Sequence, residues 1–474
     1  MNDETIPRLL DRRAKEWGGR PALRRKVLGA WQTITWAEQA ARVRALARGL
    51  AAYGINRGDV VALLAENGPD WLACDMAAQA IGAISQGLYP EASAARTGAA
   101  LRDSGAVAVI VGNDEQLDKV LAETCPALRL VIVIDGANVD AGITTLRALL
   151  ARGAGHAGWE QCLAAGSPDD IAVLADGQRL SHRDLLARAA QVAELVGGAA
   201  ADEQLSFLPL SELPERLFTT LLPLWTGAAV SFAESLDTVG GDLREVRPSV
   251  LQAVPRVWEK IHAGVALRLN EATGLGRLAC RLGLAAGAAV AAARLDGRRP
   301  GLGLAICHRL ADLTVLANLR RMLGLDLVRR LVSVSGPVAP ELADWYQALG
   351  CDFVDLEGRA AGCEASLCAS PYIADAVVVD GSCLVLIDED NVIQFAQGRA
   401  LPFSGFAGLV RLPEVAALVG AEIARLDAGI RAFRLLDRRY LPGDDELTPA
   451  MRLDRRLIIA AHAPLFEAMR REAA

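Results

Sequence analysis

The sequence predicts an α/β protein with two doubly wound sub-domains of mostly parallel sheet, followed by a shortened α+β C-terminal domain. Three observations lead there. Short, wholly apolar runs such as Val60 to Leu64 alternate with helical patterns, as the strands of a parallel sheet covered on both faces do. The alternation pauses over an Ala/Gly-rich stretch, 136–168, and then resumes, which gives two units. From Pro371 the texture changes to a compact mixture of strands and helices. With 474 residues, 52% hydrophobic and 23% charged, the chain has core material for about three domains and is neither disordered nor collagen-like.

Along the chain, Thr35 and Glu38 form a capping box ahead of apolar Ala40, Val43, Leu46, Ala47 and Leu50, and Gly54 closes that helix. Val60 to Leu64 reads as a strand and Pro69 to about Ile81 as a helix. Val107 to Val111 and Leu130 to Ile134 are two further strands, each preceded by a helical pattern. The stretch 136–168 is expected to be a connection between sub-domains. A helix opens near Ser181, strands follow at Ser206 to Leu210 and Ala229 to Ala233, and a helix begins around Pro255. Leu331 to Ser335 and Asp352 to Leu356 are the next strands. The tail has a strand Ala376 to Val379, a hairpin at Leu384 to Val392, a helix Pro413 to Leu426 and a strand near Phe433.

A net charge of −7 without a dense basic block argues against a nucleic-acid partner. Nine scattered cysteines with no CxxC, and five histidines with no HExxH, argue against a disulfide scaffold and structural zinc. The uncharged stretch Leu282 to Ala293 is too short and too Ala/Gly-rich to span a membrane; its weak amphipathy favours a buried helix over a membrane-skimming one. No transmembrane segment is expected. The charged start lacks a secretory core, so the expected location is cytoplasmic, with peripheral membrane association as the alternative. Of 50 basic residues only Lys15, Lys26, Lys119 and Lys260 are lysine, so any mechanism needing a lysine after position 260 is excluded.

Several collinear segments resemble the adenylate-forming superfamily, and within it the long-chain acyl-CoA synthetases. They are Thr35 to Trp71, GAISQGLYP (Gly82 to Pro90), LSHRDLL (Leu180 to Leu186), FLPLSELPER (Phe207 to Arg216), Phe232 to Lys260 with its PRVWEK ending, SPYIADAVVV (Ser370 to Val379) and DELTPAMRLDRR (Asp445 to Arg456). The resemblance implies an N-terminal AMP-binding-like domain over 1–365, with the connection near 137–168, and a truncated C-terminal domain over 366–474. It also implies a two-step chemistry, in which a carboxylate attacks ATP to give an acyl-adenylate and coenzyme A displaces AMP. That chemistry needs a phosphate-cradling loop, an acid for Mg²⁺, a ribose-binding aspartate and a mobile lysine.

The chain departs from the family at each of these positions. Between Leu174 and Leu180, where the family has a Ser/Thr/Gly-rich loop ending in lysine, stand Ala175, Asp176, Gly177, Gln178 and Arg179, a tight turn with an acid in it. Ser335 and Gly336 resemble the start of the adenine loop, but the segment to Pro340 is two residues short. Glu357 and Gly358 match the next motif; Arg359, Gly362 and Cys363 then replace its tyrosine, threonine and glutamate, with Glu364 one place off. The ribose aspartate and the hinge have no counterpart, so the C-terminal part is expected to be held rigidly. Arg452 stands at the lysine position, a planar fork in place of a point charge.

The resemblance therefore implies a homologue that has lost ATP binding and adenylation, for which no cofactor is expected. It would bind acyl groups or acyl-CoA, or regulate a partner synthetase in a homo- or hetero-oligomer. One alternative is a working ligase using ATP, Mg²⁺ and coenzyme A, with Arg179, Glu364 and Arg452 as substitutes. Another is a structural subunit. Among single residues, His182 is expected to serve helix entry. Glu212 stays open between a pocket wall and a solvated helix start, with Arg216 beside it in the acyl-site motif. Arg256, Trp258 and Glu259 are expected to be packing and ion-pair residues, with Arg256 a candidate for substrate. Cys363 and Cys368 are expected to be isolated thiols.

Overall fold

The computed structural model describes residues 4–473 except 137–142, 155–157, 176, 236, 296, 357–362, 426–429, 441–443, 445 and 448–451. They form two compact units, Met1–Val250 and Leu251–Ala474.

The first unit is built on a seven-stranded sheet. Its order is Ile143–Thr145, Leu130–Val133, Ala108–Val111, Val60–Leu64, Ile84–Gly87, Ile171–Ala175 and Gln178–Ser181. All pairings are parallel except the last, an antiparallel hairpin. Val60–Leu64 is buried at every position, as its unbroken apolar sequence predicts. Thr35 caps the helix Trp36–Ala52 with the expected box, its Oγ1 accepting from the Glu38 amide while Glu38 accepts from the Thr35 amide. The helix Pro69–Ala80 is buried almost throughout and packs beside it. A second, four-stranded sheet runs Glu203–Ser206, Ala229–Phe232, Pro21–Val27 and Ala30–Thr35. Its last pair is a hairpin turning through Leu28 and Gly29, both at positive φ.

Two expectations about this unit are corrected. Among the described residues of the stretch 136–168, Ile143–Thr145 adds a strand to the large sheet, and helices Leu146–Gly153 and Trp159–Ala165 follow, where only a weakly patterned connection is expected. Glycines allow this, because a Cβ on Gly49 would lie 2.6 Å from the Leu149 carbonyl oxygen and one on Gly153 2.6 Å from the Gly49 nitrogen. The strand expected at Ser206 to Leu210 instead ends at Ser206, because Pro209 has no amide to continue a ladder and the chain turns into a helix at Leu213.

In the second unit, Arg330–Ser333 pairs in parallel with Phe353–Asp355 on one side and lies beside Val250–Ala253 on the other. The helix Pro255–Glu271 follows directly. Trp258, Tyr346 and Phe353 cluster there with ring centroids 5.2–5.5 Å apart. The C-terminal sheet joins Ile373–Val379, Ser382–Ile387 and Ala432–Leu435. Its hairpin turns at Asp380-Gly381, both at positive φ. The hairpin expected at Leu384 to Val392 is therefore displaced, and Asp388 caps a helix Glu389–Gly398 instead. Leu282 to Ala293 lies in a helix, Gly274–Leu295, but only one face of it is buried, at Cys280, Gly283, Gly287 and Val290.

Candidate functional site

Where the family resemblance places a phosphate loop, Ile171–Ala175 and Gln178–Ser181 pair as a tight hairpin, with Ala175 opposite Gln178. Gly177, at φ +73°, supplies the turn, and Arg179 is exposed. Ser181 then caps the helix His182–Val196 and shares a capping box with Asp184. His182 is buried, and its Nδ1 accepts from the Ile6 amide at 3.4 Å. Burial holds its pKa down at about 4. Polar groups at this position are thus spent on chain reversal and helix entry, and His182 serves structure.

The acyl-motif segment Phe207 to Arg216 is clamped from several sides. Asn67 accepts from the Leu210 amide at 2.9 Å and donates to the Leu208 carbonyl. Gly87 leaves room for the segment, since a Cβ there would lie 2.6 Å from the Ser211 Cα. Arg216 is buried; its Nε donates to the Leu210 carbonyl at 2.9 Å, its terminal nitrogen lies 3.4 Å from buried Asp75, and its Cζ sits 4.8 Å over the Trp71 ring. Glu215 is buried too and accepts from Ser206 at 2.6 Å and Thr219 at 2.7 Å. Glu212 is half-buried and accepts from the Tyr89 hydroxyl.

A crevice of about 300 Å³ lies at the carboxyl ends of Val60–Leu64 and Ala108–Val111. Strand order reverses between these two strands, which is where open α/β sheets bind ligands. Its walls include Arg25, Lys26, Glu66, Asp70, Asp135 and Glu234. Lys26 is held by Asp242 at 2.5 Å and Glu245 at 2.8 Å, while Arg25 lies 3.6 Å from Asp70, which also pairs with Arg42. Burial, with Glu91 and Glu115 nearby, holds the Glu66 carboxyl above its ordinary range. Such walls suit a neutral or cationic polar group far better than a triphosphate.

In the second unit Ser335, at φ +59°, and Gly336, at φ +147°, turn the chain after the strand Arg330–Ser333. Glu357 and Gly358 lie outside the described residues. Glu364 is held by structure: its Oε1 accepts from the Val378 amide at 2.7 Å and from Arg455. Arg256 donates to Asp388 at 2.6 Å and lies 3.8 Å from Glu259. Arg452 donates to Glu259 at 3.3 Å and lies 3.7 Å from Asp375. Asp375 also accepts from the Leu453 and Ala376 amides and from the Cys368 thiol, whose pKa burial pushes well up. Burial pushes the Glu259 carboxyl up to about 7 against the pull of Arg452 and Arg256. The side chain at the family's lysine position is therefore fastened inside a buried ion-pair knot.

Sequence reading did not single out Asn67, Asp75, Asp375 or Asp388. Asp375 was legible, being an acid in the middle of the apolar run Ile373–Val379, where a buried carboxylate needs a partner. Among the described residues, no three His, Cys, Asp or Glu side chains are grouped to hold a metal ion.

A family profile described as AMP-binding enzyme matches residues 10–360. The chain is 25% identical over 464 residues to long-chain-fatty-acid–CoA ligase ACSBG2 of Rattus norvegicus, covering 90% of this chain and 68% of that protein. To long-chain-fatty-acid–CoA ligase FadD15 of Mycobacterium bovis it is 30% identical over 342 residues, 69% of this chain and 55% of that one. The chain thus spans about half to two thirds of the length of these relatives. The fold is similar to the A-PCP didomain of a carboxylic acid reductase from Segniliparus rugosus, solved in complex with AMP, with TM-score 0.73, 15% identity and coverage of 98% of this chain and 82% of that one.

Proposed function

Because the chain belongs to the AMP-binding enzyme family, we propose that it is a member that keeps the long-chain acyl-CoA ligase framework without adenylating its ligand. It binds acyl groups or acyl-CoA, or regulates a partner synthetase. The observation that carries this reading is the Ala175–Gln178 hairpin at the phosphate-loop position. A two-residue turn cannot offer the converging amides that cradle phosphates. The fastened Arg452 and the occupied Glu364 support it. These residues do not fit a magnesium-bound nucleotide. Losing a single preorganised donor raises a barrier by about 3–4 kcal/mol, so losing the phosphate loop and the mobile lysine together leaves negligible turnover.

The test incubates purified protein with Mg·ATP, coenzyme A and a panel of fatty acids, and searches by mass spectrometry for acyl-AMP and acyl-CoA. The expected result is no product above a heat-killed control, with saturable binding of long-chain acyl-CoA by calorimetry. Clear acyl-CoA formation that disappears in Arg452→Ala, in a variant still folded by circular dichroism, overturns the proposal and establishes a ligase with rebuilt sites.

A further inference from the structure

Two consecutive helices of the second unit, Gly274–Leu295 and Leu302–Leu323, hold apolar side chains in solvent. The first is anchored by its small-residue face: a Cβ on Gly287 would lie 1.9 Å from the Ala348 carbonyl oxygen, so only glycine allows this approach to the helix Pro340–Ala348. Away from that face, Leu275, Leu278 and Leu282 are exposed, and Ala285, Ala289 and Ala292 continue their stripe at helical spacing. On the second helix Leu302, Ile306, Leu310 and Leu313 form another such stripe, with Leu302 80% and Leu313 68% exposed. Scattered surface leucines are ordinary, but a stripe at helical spacing on each of two neighbouring helices is not.

The charges on the same segment narrow the occupant. From Gly274 to Leu323 there are eight arginines (Arg277, Arg281, Arg294, Arg298, Arg299, Arg309, Arg320 and Arg321) and two acids, Asp296 and Asp312, in a chain of net charge −7; Asp312 is paired with Arg320 at 2.7 Å. The first six of these arginines are exposed. A second copy docking face to face would set these arginines against their own kind with almost no acid to answer them. Nor can the first helix cross a bilayer while its glycine face stays packed on Pro340–Ala348.

We propose that these two helices dock the protein on the surface of an anionic lipid bilayer, with the leucines in the acyl boundary and the arginines at the headgroup phosphates. This holds whether or not the chain adenylates.

The test sediments the full chain with vesicles of phosphatidylcholine alone or of phosphatidylcholine with phosphatidylglycerol. Binding is expected to the second kind, and to weaken as salt is raised. The variant Leu278→Gln, Leu282→Gln, Ile306→Gln, Leu310→Gln should lose binding by more than ~tenfold. Replacing Arg281, Arg294 and Arg309 by Gln should weaken it roughly fivefold per arginine, on the phosphatidylglycerol vesicles only. All these positions are exposed, and an unchanged melting temperature verifies the fold. Three results overturn the proposal: no vesicle binding by the wild type, binding that both variants retain, or a wild-type dimer without vesicle affinity that the leucine variant splits into monomers.

Discussion

Each unit buries a cluster of charged side chains, and the two clusters are wired differently. In the first unit Glu215 and Arg216 are neighbours in sequence, and much of their bonding is to the hydroxyls of Ser206 and Thr219 and the carbonyl of Leu210. In the second unit the acids Glu259, Asp375 and Asp388 are met by guanidinium groups at positions 256 and 452. The Glu215 part of the first cluster comes from one short segment and the strand before it, while Arg216 also meets Asp75 of the helix Pro69–Ala80 at 3.4 Å. The second exists only when the C-terminal sheet has assembled on the helix Pro255–Glu271, and a single side chain, Arg452, serves two of its acids. An acid satisfied by hydroxyls, as Glu215 is, tolerates loss of a neighbouring charge better than acids that share a cation.

The largest expected effect follows from that sharing. Arg452→Ala should destabilise the second unit by about 3–5 kcal/mol, since it leaves Glu259 and Asp375 buried without their common cation. The loss should be greater at pH 8 than at pH 6. Glu259 has its folded pKa raised to about 7 from 4.5, so the folded state retains a proton that the unfolded state has released, and stability falls as pH rises through that window. Urea melts of wild type, Arg452→Ala and Arg452→Lys at both pH values provide the measurement. An alanine variant as stable as wild type would erase the contrast between the clusters.

A second expectation sharpens the contrast by its sign. His182 in the first unit has its folded pKa lowered from 6.5 to about 4 by burial. The unfolded state therefore binds more protons between those values, and stability is full above pH 6.5 and is lost as pH falls toward 4. Integrated over the window this amounts to about 3 kcal/mol. The first unit should thus weaken on acidification from pH 6.5 to 5 while the Glu259 linkage strengthens the second. Hydrogen exchange resolved by residue reads the two separately. His182→Asn, which keeps an acceptor for the Ile6 amide, should flatten the first unit's pH dependence and leave the second's unchanged.

The same division explains what the sequence discloses. Val60–Leu64, the Thr35 box and the Pro69–Ala80 helix are legible because propensity, capping and apolar pattern agree within a few residues. The Asp380-Gly381 turn is equally local, since Asp-Gly between apolar runs is a strong hairpin signal, although the apolar pattern further on, at Leu384 to Val392, competes with it. Gly274–Leu295 is harder, since an Ala/Leu-rich helix is apolar on every side and periodicity does not say which face packs; Gly287 marks it only once Ala348 of the Pro340–Ala348 helix lies against it, and Gly283 only once Val315 and Leu316 do. Motif order locates Arg452, but its partners Glu259 and Asp375 stand 193 and 77 positions away (452 − 259 and 452 − 375), separations that no local pattern encodes.

The smallest expected effect tests whether the hairpin at the phosphate-loop position is a structural element in its own right. Ser181 Oγ accepts from the Asp184 amide at 3.1 Å, and Asp184 answers by accepting from the Ser181 amide at 3.0 Å. Ser181→Ala should therefore cost about 1 kcal/mol, the usual value for a helix N-cap. The loss should appear as faster exchange of the first amides of the helix His182–Val196 and leave acyl-CoA affinity unchanged. If the substitution instead abolished ligand binding while the helix amides kept their protection, Ser181 would be contacting ligand rather than capping a helix. The tight turn would then be a remodelled binding loop, and the local wiring ascribed to the first unit would belong to function instead of to folding.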